Sequence, residues 1–163
     1  MMRSLLLVLA LAACGKSDKP KPEAHDNVIA PRALEGLAFD LPDQWTKTYD
    51  TDHDAWNIAS ADAATKVLIE RADERYVASP DAYMHHVSQQ WPGKLVTIES
   101  RKNVKGGFAM TLGIFTGEKD PNPQHATVVV RELGSRWYRC ISEGADSEEI
   151  REQVLALCRS VRL

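Results

Sequence analysis

The chain is short of cysteine, of aromatic residues and of excess positive charge. Its 163 residues include three cysteines and 7% aromatics, and the net charge is −3. A protein that binds nucleic acid usually presents a basic face, so the mild acidity argues against that class of partner. It also argues against docking to anionic lipid headgroups by charge. Two of the cysteines, Cys140 and Cys158, lack the CxxC spacing of a redox pair.

The sequence also lacks the motifs of common catalytic sites. It contains no GxSxG nucleophile elbow and no HExxH zinc motif, and its five histidines are scattered. Asp50, Asp52 and Asp54 alternate as in a calcium loop. An EF-hand needs glycine at position six and glutamate at position twelve, where this chain has Ala55 and Ala61. We therefore expect a solvated acidic hairpin tip, no metal, no cofactor and no enzyme activity, although acids and histidines that converge in space remain an alternative.

The N-terminus carries the most specific signal. Arg3 precedes an apolar run at residues 5–11 (LLLVLAL), and Ala12-Ala13-Cys14 follows. The run is too short to cross a bilayer, which takes roughly 20 residues. The small residues before Cys14 are also typical of a leader that is cut by ordinary signal peptidase. The cysteine at this position resembles the lipobox of bacterial lipoproteins, in which the thiol is lipidated and the chain is cut just before it.

The lipobox predicts a three-part chain. Residues 1–13 are the signal peptide, and its loss with Arg3 makes the net charge of −3 one unit more negative. Residues 14–33 hold the lipidated cysteine and a polar, Lys- and Pro-bearing tether without hydrophobic period, which favours disorder. Residues 34–163 are long enough for a single domain with its own core. Gly15 stands where lipoproteins retained in the inner membrane of enteric bacteria carry aspartate, and this similarity favours the outer membrane.

The sequence of residues 34–163 predicts eight strands and two helices. Alternation predicts a strand at residues 37–41, and extended runs predict strands at 46–49, 55–59 and 66–71. Four more strands are expected at 95–104, 108–116, 125–133 and 136–142, the first two joined by a hairpin signal and the third carrying a buried valine run. Ser79-Pro80 starts a first helix, which Pro92-Gly93 stops. A second helix covers about 147–161, with a capping box from Asp146 to Glu149. Segregated hairpins and amphipathic helices indicate an α+β fold, an antiparallel sheet flanked by two helices.

The two remaining cysteines form the available disulfide pair if Cys14 is lipidated. Cys140 lies in the last predicted strand and Cys158 on the apolar face of the last helix. An oxidising compartment permits a bridge between them. Two separately buried thiols are the alternative.

The chain resembles the PsbP-like α/β/α sandwich family, which includes the photosystem extrinsic protein P, a Ran-binding nuclear import factor and small bacterial lipoproteins. The similarity lies in Phe39-Asp-Leu-Pro followed by Trp45, the helix at Ser79-Pro80, and Trp137-Tyr-Arg-Cys leading into a final helix. It ends differently, because Val161 replaces an aromatic residue. The resemblance implies a sandwich that binds partners or assists assembly, without catalytic residues.

These observations favour a non-enzymatic lipoprotein of the cell envelope, held on the periplasmic face of a membrane through lipid on Cys14. We expect another envelope protein as its partner. The alternative is a binder of a small apolar or lipidic ligand between sheet and helix, which needs an apolar cavity of several hundred cubic ångströms. Trp56, beside the acidic loop, is the candidate surface or ligand contact among the four tryptophans.

Overall fold

The computed structural model describes residues 34–117 and 121–163. Within them, seven strands and two α-helices form an α/β/α sandwich. The strands are β1 (Thr46–Asp50), β2 (Ala55–Ala59), β3 (Lys66–Arg71), β4 (Leu95–Val104), β5 (Gly107–Phe115), β6 (Gln124–Leu133) and β7 (Arg136–Glu143). The helices are α1 (Pro80–Val87), extended by a 3-10 turn at Ser88–Gln90, and α2 (Glu148–Ser160).

All neighbouring strands of the sheet are antiparallel. Their order is β1-β2-β3-β7-β6-β5-β4. Hairpins connect β1 to β2, β4 to β5 and β6 to β7, and β3 pairs with β7 over the register Lys66↔Glu143 to Arg71↔Tyr138. This pairing joins the first three strands to the last four. The α+β prediction is confirmed.

Helix α1 covers one face of the sheet, which we call the α1 face. Ser79 caps the helix, because its Oγ accepts a hydrogen bond of 3.1 Å from the Ala82 backbone N–H. Tyr83 and Val87 are buried against β5 and β6, and Trp91 joins the same cluster after the 3-10 turn. The stop that Pro92-Gly93 predicts is therefore correct, although the last turn is 3-10.

Helix α2 covers the opposite side, the α2 face. Val154, Leu157 and Cys158 are buried there against the middle of the sheet. The cap is Ser147, whose Oγ accepts from the Ile150 N–H at 3.1 Å. The predicted capping box at Asp146 is wrong, because the Asp146 carboxylate accepts a hydrogen bond from the His125 N–H instead.

The strand predicted at residues 37–41 is also wrong. The segment makes one isolated bridge, Ala38↔Arg162, and joins no ladder of the sheet. Leu37 and Phe39 are buried while Ala38 and Asp40 are exposed, so the alternation is real. It reflects an extended segment lying across the α2 face, since half-burial produces alternation without strand pairing.

No helix in the described part of the chain is both long and apolar enough to span a bilayer. The signal peptide predicted at residues 1–13 and the lipidated cysteine and tether predicted at residues 14–33 lie outside the described residues.

Candidate functional site: an open groove on the sheet

The α1 face is covered on one half only. Helix α1 packs over β5 and β6, where the inward side chains are buried, whereas the same face of β1, β2 and β3 is exposed or half-buried except at Ala55. The uncovered half forms a groove of about 730 Å³. We call it the open groove. It is lined by Thr46, Thr48, Asn57, Ile58, Ala59, Lys66, Val67, Leu68, Gln90, Ile141 and Glu143.

The floor of the open groove is built from cross-strand pairs. Leu68 and Ile141 are paired across β3 and β7 and supply an aliphatic centre. Thr48 on the edge strand β1 is paired with Asn57 and supplies hydrogen-bonding groups. At one end of the groove, Lys66 is paired with Glu143, so opposite charges stand side by side. The surface is therefore amphipathic and nearly neutral, a chemistry that suits binding.

A partly buried ion pair borders the open groove, two residues along β3 and β7 from Leu68 and Ile141. The Arg139 Nε donates to Glu70 Oε1 at 2.6 Å, and its Nη1 donates to the Tyr83 hydroxyl at 3.2 Å. In the amide orientation that satisfies both of its polar atoms, the Gln90 oxygen accepts from Arg139 Nη2 at 2.7 Å and from Nη1 at 2.9 Å. Gln90 thus connects this network with the groove wall.

The network affects the pKa of Tyr83 and of Arg139. Burial raises the pKa of the Tyr83 phenol, with Arg139 opposing the shift, so the hydroxyl stays neutral and accepts a hydrogen bond. Burial disfavours the charge of Arg139, but Tyr83 and Glu70 more than offset this and raise its pKa. The result is a rigid charged wall beside a groove whose floor can accommodate another chain.

Cys140 and Cys158 lie on the other side of the sheet, away from the open groove. Their Cα atoms are 5.6 Å apart and their sulfur atoms are at disulfide distance. The pair links β7 to the C-terminal half of α2, as the sequence predicts. The third cysteine, Cys14, is outside the described residues.

Trp56 also lies on the α2 face, so it is not part of the groove. Its Nε1 donates to the Leu34 carbonyl at 2.7 Å. The indole packs against Phe39 and Tyr49, at centroid distances of 5.5 and 5.1 Å, and the Lys47 ammonium lies over it. The structure therefore places the half-buried ring in a packing role, holding the segment before β1 against the sheet.

The acidic residues after β1 form the tip of the β1–β2 hairpin, as predicted. Asp50 Oδ1 accepts from the Asp52 and His53 backbone N–H groups, and Asp54 accepts from the Leu34 N–H. Asp50 therefore closes the turn, whereas Asp54 holds the segment that precedes β1. Within residues 34–117 and 121–163, no group of three His, Cys, Asp or Glu side chains converges on a point that could hold a metal ion.

The apolar space between sheet and α2 is closely packed near the cysteine pair. The void there, lined by Val129, Cys140, Cys158 and Val161 among others, has a volume of about 10 Å³. That is the lower limit for a single water molecule. It gives no support to an apolar ligand at this place.

Sequence reasoning missed the open groove and the ion pair beside it. Glu70 and Arg139 stand at strand positions where alternation would put a side chain under a helix, and they carry opposite charges. Charged residues at such positions in two strands are a signal of pairing, but only the register Glu70↔Arg139 shows that they are neighbours. The groove has no local signal, because it depends on where α1 ends.

Comparison with known proteins identifies the fold. The chain is similar to the solution structure of cyanobacterial PsbP (CyanoP) from Synechocystis sp. PCC 6803, with a TM-score of 0.53 and 7% sequence identity. The similarity covers 79% of this chain and 87% of that chain. No protein-family model matches the chain, and neither does any curated protein. The PsbP-like fold expected from the sequence is confirmed.

Proposed function

We propose that the chain is a lipid-anchored protein of the bacterial cell envelope that acts as a non-enzymatic accessory module. The observation that carries this proposal is Ala12-Ala13-Cys14 directly after the apolar run at residues 5–11. A diacylglyceryl-modified cysteine gives the membrane affinity of two acyl chains, which suffices for stable anchoring. The cysteine pair at disulfide distance suits an extracytoplasmic domain.

The open groove is the proposed contact for the partner. Its aliphatic centre at Leu68 and Ile141 is flanked by hydroxyl and amide groups and by the opposite charges of Lys66 and Glu143, and it matches a protein segment of low net charge. Such a segment would place aliphatic side chains on the centre and polar atoms on Thr48 and Asn57. A strongly charged partner would find no complementary surface there.

The anchor is tested by intact mass spectrometry of protein extracted from membranes. We expect cleavage before Cys14, an added acyl mass and the two-hydrogen deficit of an internal bridge. In the Cys14→Ser variant, the acyl mass should be absent, because serine offers no thiol for the lipid. Cleavage after another residue, or a parent protein without an acyl mass, would contradict the anchor.

The groove is tested by photocrosslinking in cells, with a photoreactive side chain at Asn57. We expect an adduct with one envelope protein, reduced about tenfold or more by Leu68→Glu or by Thr48→Arg, because each introduces a charge into a desolvated contact. Leu95→Glu is the matched control, because Leu95 is 52% exposed on the far edge strand β4. An adduct that survives both groove substitutions would refute this docking site.

A further inference from the structure

A row of hydroxyl side chains crosses four neighbouring strands on the α2 face. Ser100 on β4 is paired with Thr111 on β5, and Thr111 is paired with Thr127 on β6. On β7, the Ser142 Oγ accepts from the Thr127 backbone N–H at 2.9 Å and completes the row. The row runs from exposed Ser100 to fully buried Ser142.

The buried part of this row holds an unsatisfied hydroxyl group. Thr127 is 3% exposed, and its Oγ1 has no hydrogen-bond partner among the described residues. A buried hydroxyl without a partner costs free energy, so native proteins rarely keep one unless something binds it. A valine has the same shape and would remove that cost.

The unpartnered threonine lines a pocket between the first turns of α2 and strands β4 and β5. The pocket has a volume of about 250 Å³. Its side chains are Glu99, Ser100, Lys102, Thr111, Thr127, Glu148, Arg151, Glu152 and the apolar Ala109, Met110 and Leu155. The volume suits a small molecule, and the pocket opens to solvent at the exposed end of the hydroxyl row.

Glu99 is held in place at the rim of this pocket. A side chain at Gly113 would meet the Glu99 carboxylate at 2.7 Å, so the glycine makes room for it. The His125 Nδ1 lies 3.1 Å from Glu99 Oε2 on the other side. The carboxylate therefore has a fixed position beside the hydroxyl row.

The pocket presents charges of both signs. Lys102 and Arg151 supply positive charge, and Glu99, Glu148 and Glu152 supply negative charge. Among the described residues, no ion pair within 4.0 Å engages Lys102, Glu148 or Glu152. Unpaired charges of opposite sign around a small polar cavity are complementary to a molecule that carries both an ammonium and a carboxylate group.

We propose that this pocket binds a small zwitterion of the amino-acid type, whose polar group completes the hydrogen bonding of Thr127. Its carboxylate lies toward Lys102 and Arg151, and its ammonium group lies toward the glutamates. This site is separate from the open groove, because the two are on opposite faces of the sheet.

The test is calorimetric titration of the full-length protein with L-serine and L-lysine as probes. The N-acetyl derivatives, which lack the ammonium charge, and the amides, which lack the carboxylate, serve as matched ligands. We expect at least one free amino acid to bind and both of its derivatives to lose about tenfold or more in affinity. If neither probe binds, or if the derivatives bind as well as the parent, the proposal is wrong.

Thr127→Val tests the hydroxyl. We expect the unliganded variant to melt at the same or a higher temperature than the parent, while affinity for the amino acid falls about tenfold. Thr51→Val, at the exposed tip of the β1–β2 hairpin and outside both proposed sites, should leave affinity unchanged. A Thr127→Val protein that is less stable without ligand and binds as before would show that the fold or a bound water satisfies the hydroxyl.

Discussion

The link between Cys140 and Cys158 should supply a large share of the stability of the domain. The two residues are 18 apart in sequence, and the chain-entropy treatment gives about 3 kcal/mol for closing a loop of that length in the unfolded state. Domains of this size unfold with about 5–15 kcal/mol. Removing the cross-link should therefore lower the melting temperature by roughly 10 °C.

The assay is thermal unfolding of the parent, with and without reductant, beside the Cys140→Ala/Cys158→Ala double variant. Both sulfur atoms are deeply buried, since the residues are 3% and 1% exposed, so alanine also removes packing. The reduced parent separates the two effects, because it loses the bond and keeps the atoms. A parent whose unfolding ignores strong reductant, or whose mass lacks the two-hydrogen deficit, would refute the cross-link.

Three further outcomes follow from single sites. Arg139→Met leaves the half-buried Glu70 carboxylate without a cation and should lower the free energy of unfolding by about 2 kcal/mol in a denaturant titration. An unchanged denaturant midpoint would contradict the network. Gly107→Ala puts a Cβ 1.9 Å from a backbone carbonyl of β6 and should cost about 3 kcal/mol or more, whereas Gly36→Ala meets nothing within 4 Å and should be neutral. NMR titration should find the pKa of His53 raised above its ordinary value, because the Asp50 carboxylate accepts its hydrogen bond and attracts its charge; Asp50→Asn should return the pKa to the ordinary value. Since the folded-state pKa is raised, the small stabilisation is complete below the ordinary histidine pKa while Asp50 is ionised, and it disappears as the pH rises through the raised pKa.

The sequence is most informative where a local rule determines the structure. Ser79 and Ser147 both cap helices, as hydroxyl residues before an apolar period should. Asp146 obeys the same spacing rule and yet is not a cap. The next residue along competes for the role, and Asp146 is used to hold β6 through the His125 N–H. Which of two adjacent residues caps the helix depends on the direction in which the chain enters it. The spacing of residues in the sequence does not determine that direction.

Alternation at residues 37–41 shows a different kind of failure. The predicted burial pattern is correct. However, an extended segment packed under a helix has the same apolar–polar pattern in the sequence as a strand paired in a sheet. The segment follows Leu34, whose backbone is held by Asp54 and Trp56. These contacts, more than 19 residues away in sequence, place it across the α2 face and leave β1 at the edge of the sheet.

The two proposed sites depend on how helices and strands are placed relative to one another. A short stretch of sequence does not indicate that placement. The open groove exists because α1 packs over β5 and β6 and leaves the same face of β1, β2 and β3 without a helix. The hydroxyl row exists because Ser100, Thr111 and Thr127 fall in one register, and a shift of one residue in any pairing would send a hydroxyl to the other face. A bulge between Ile98 and Ser100 sets that register on β4. The polar pocket thus rests on one irregularity of a strand, and a regular β4 would have turned Ser100 away from it.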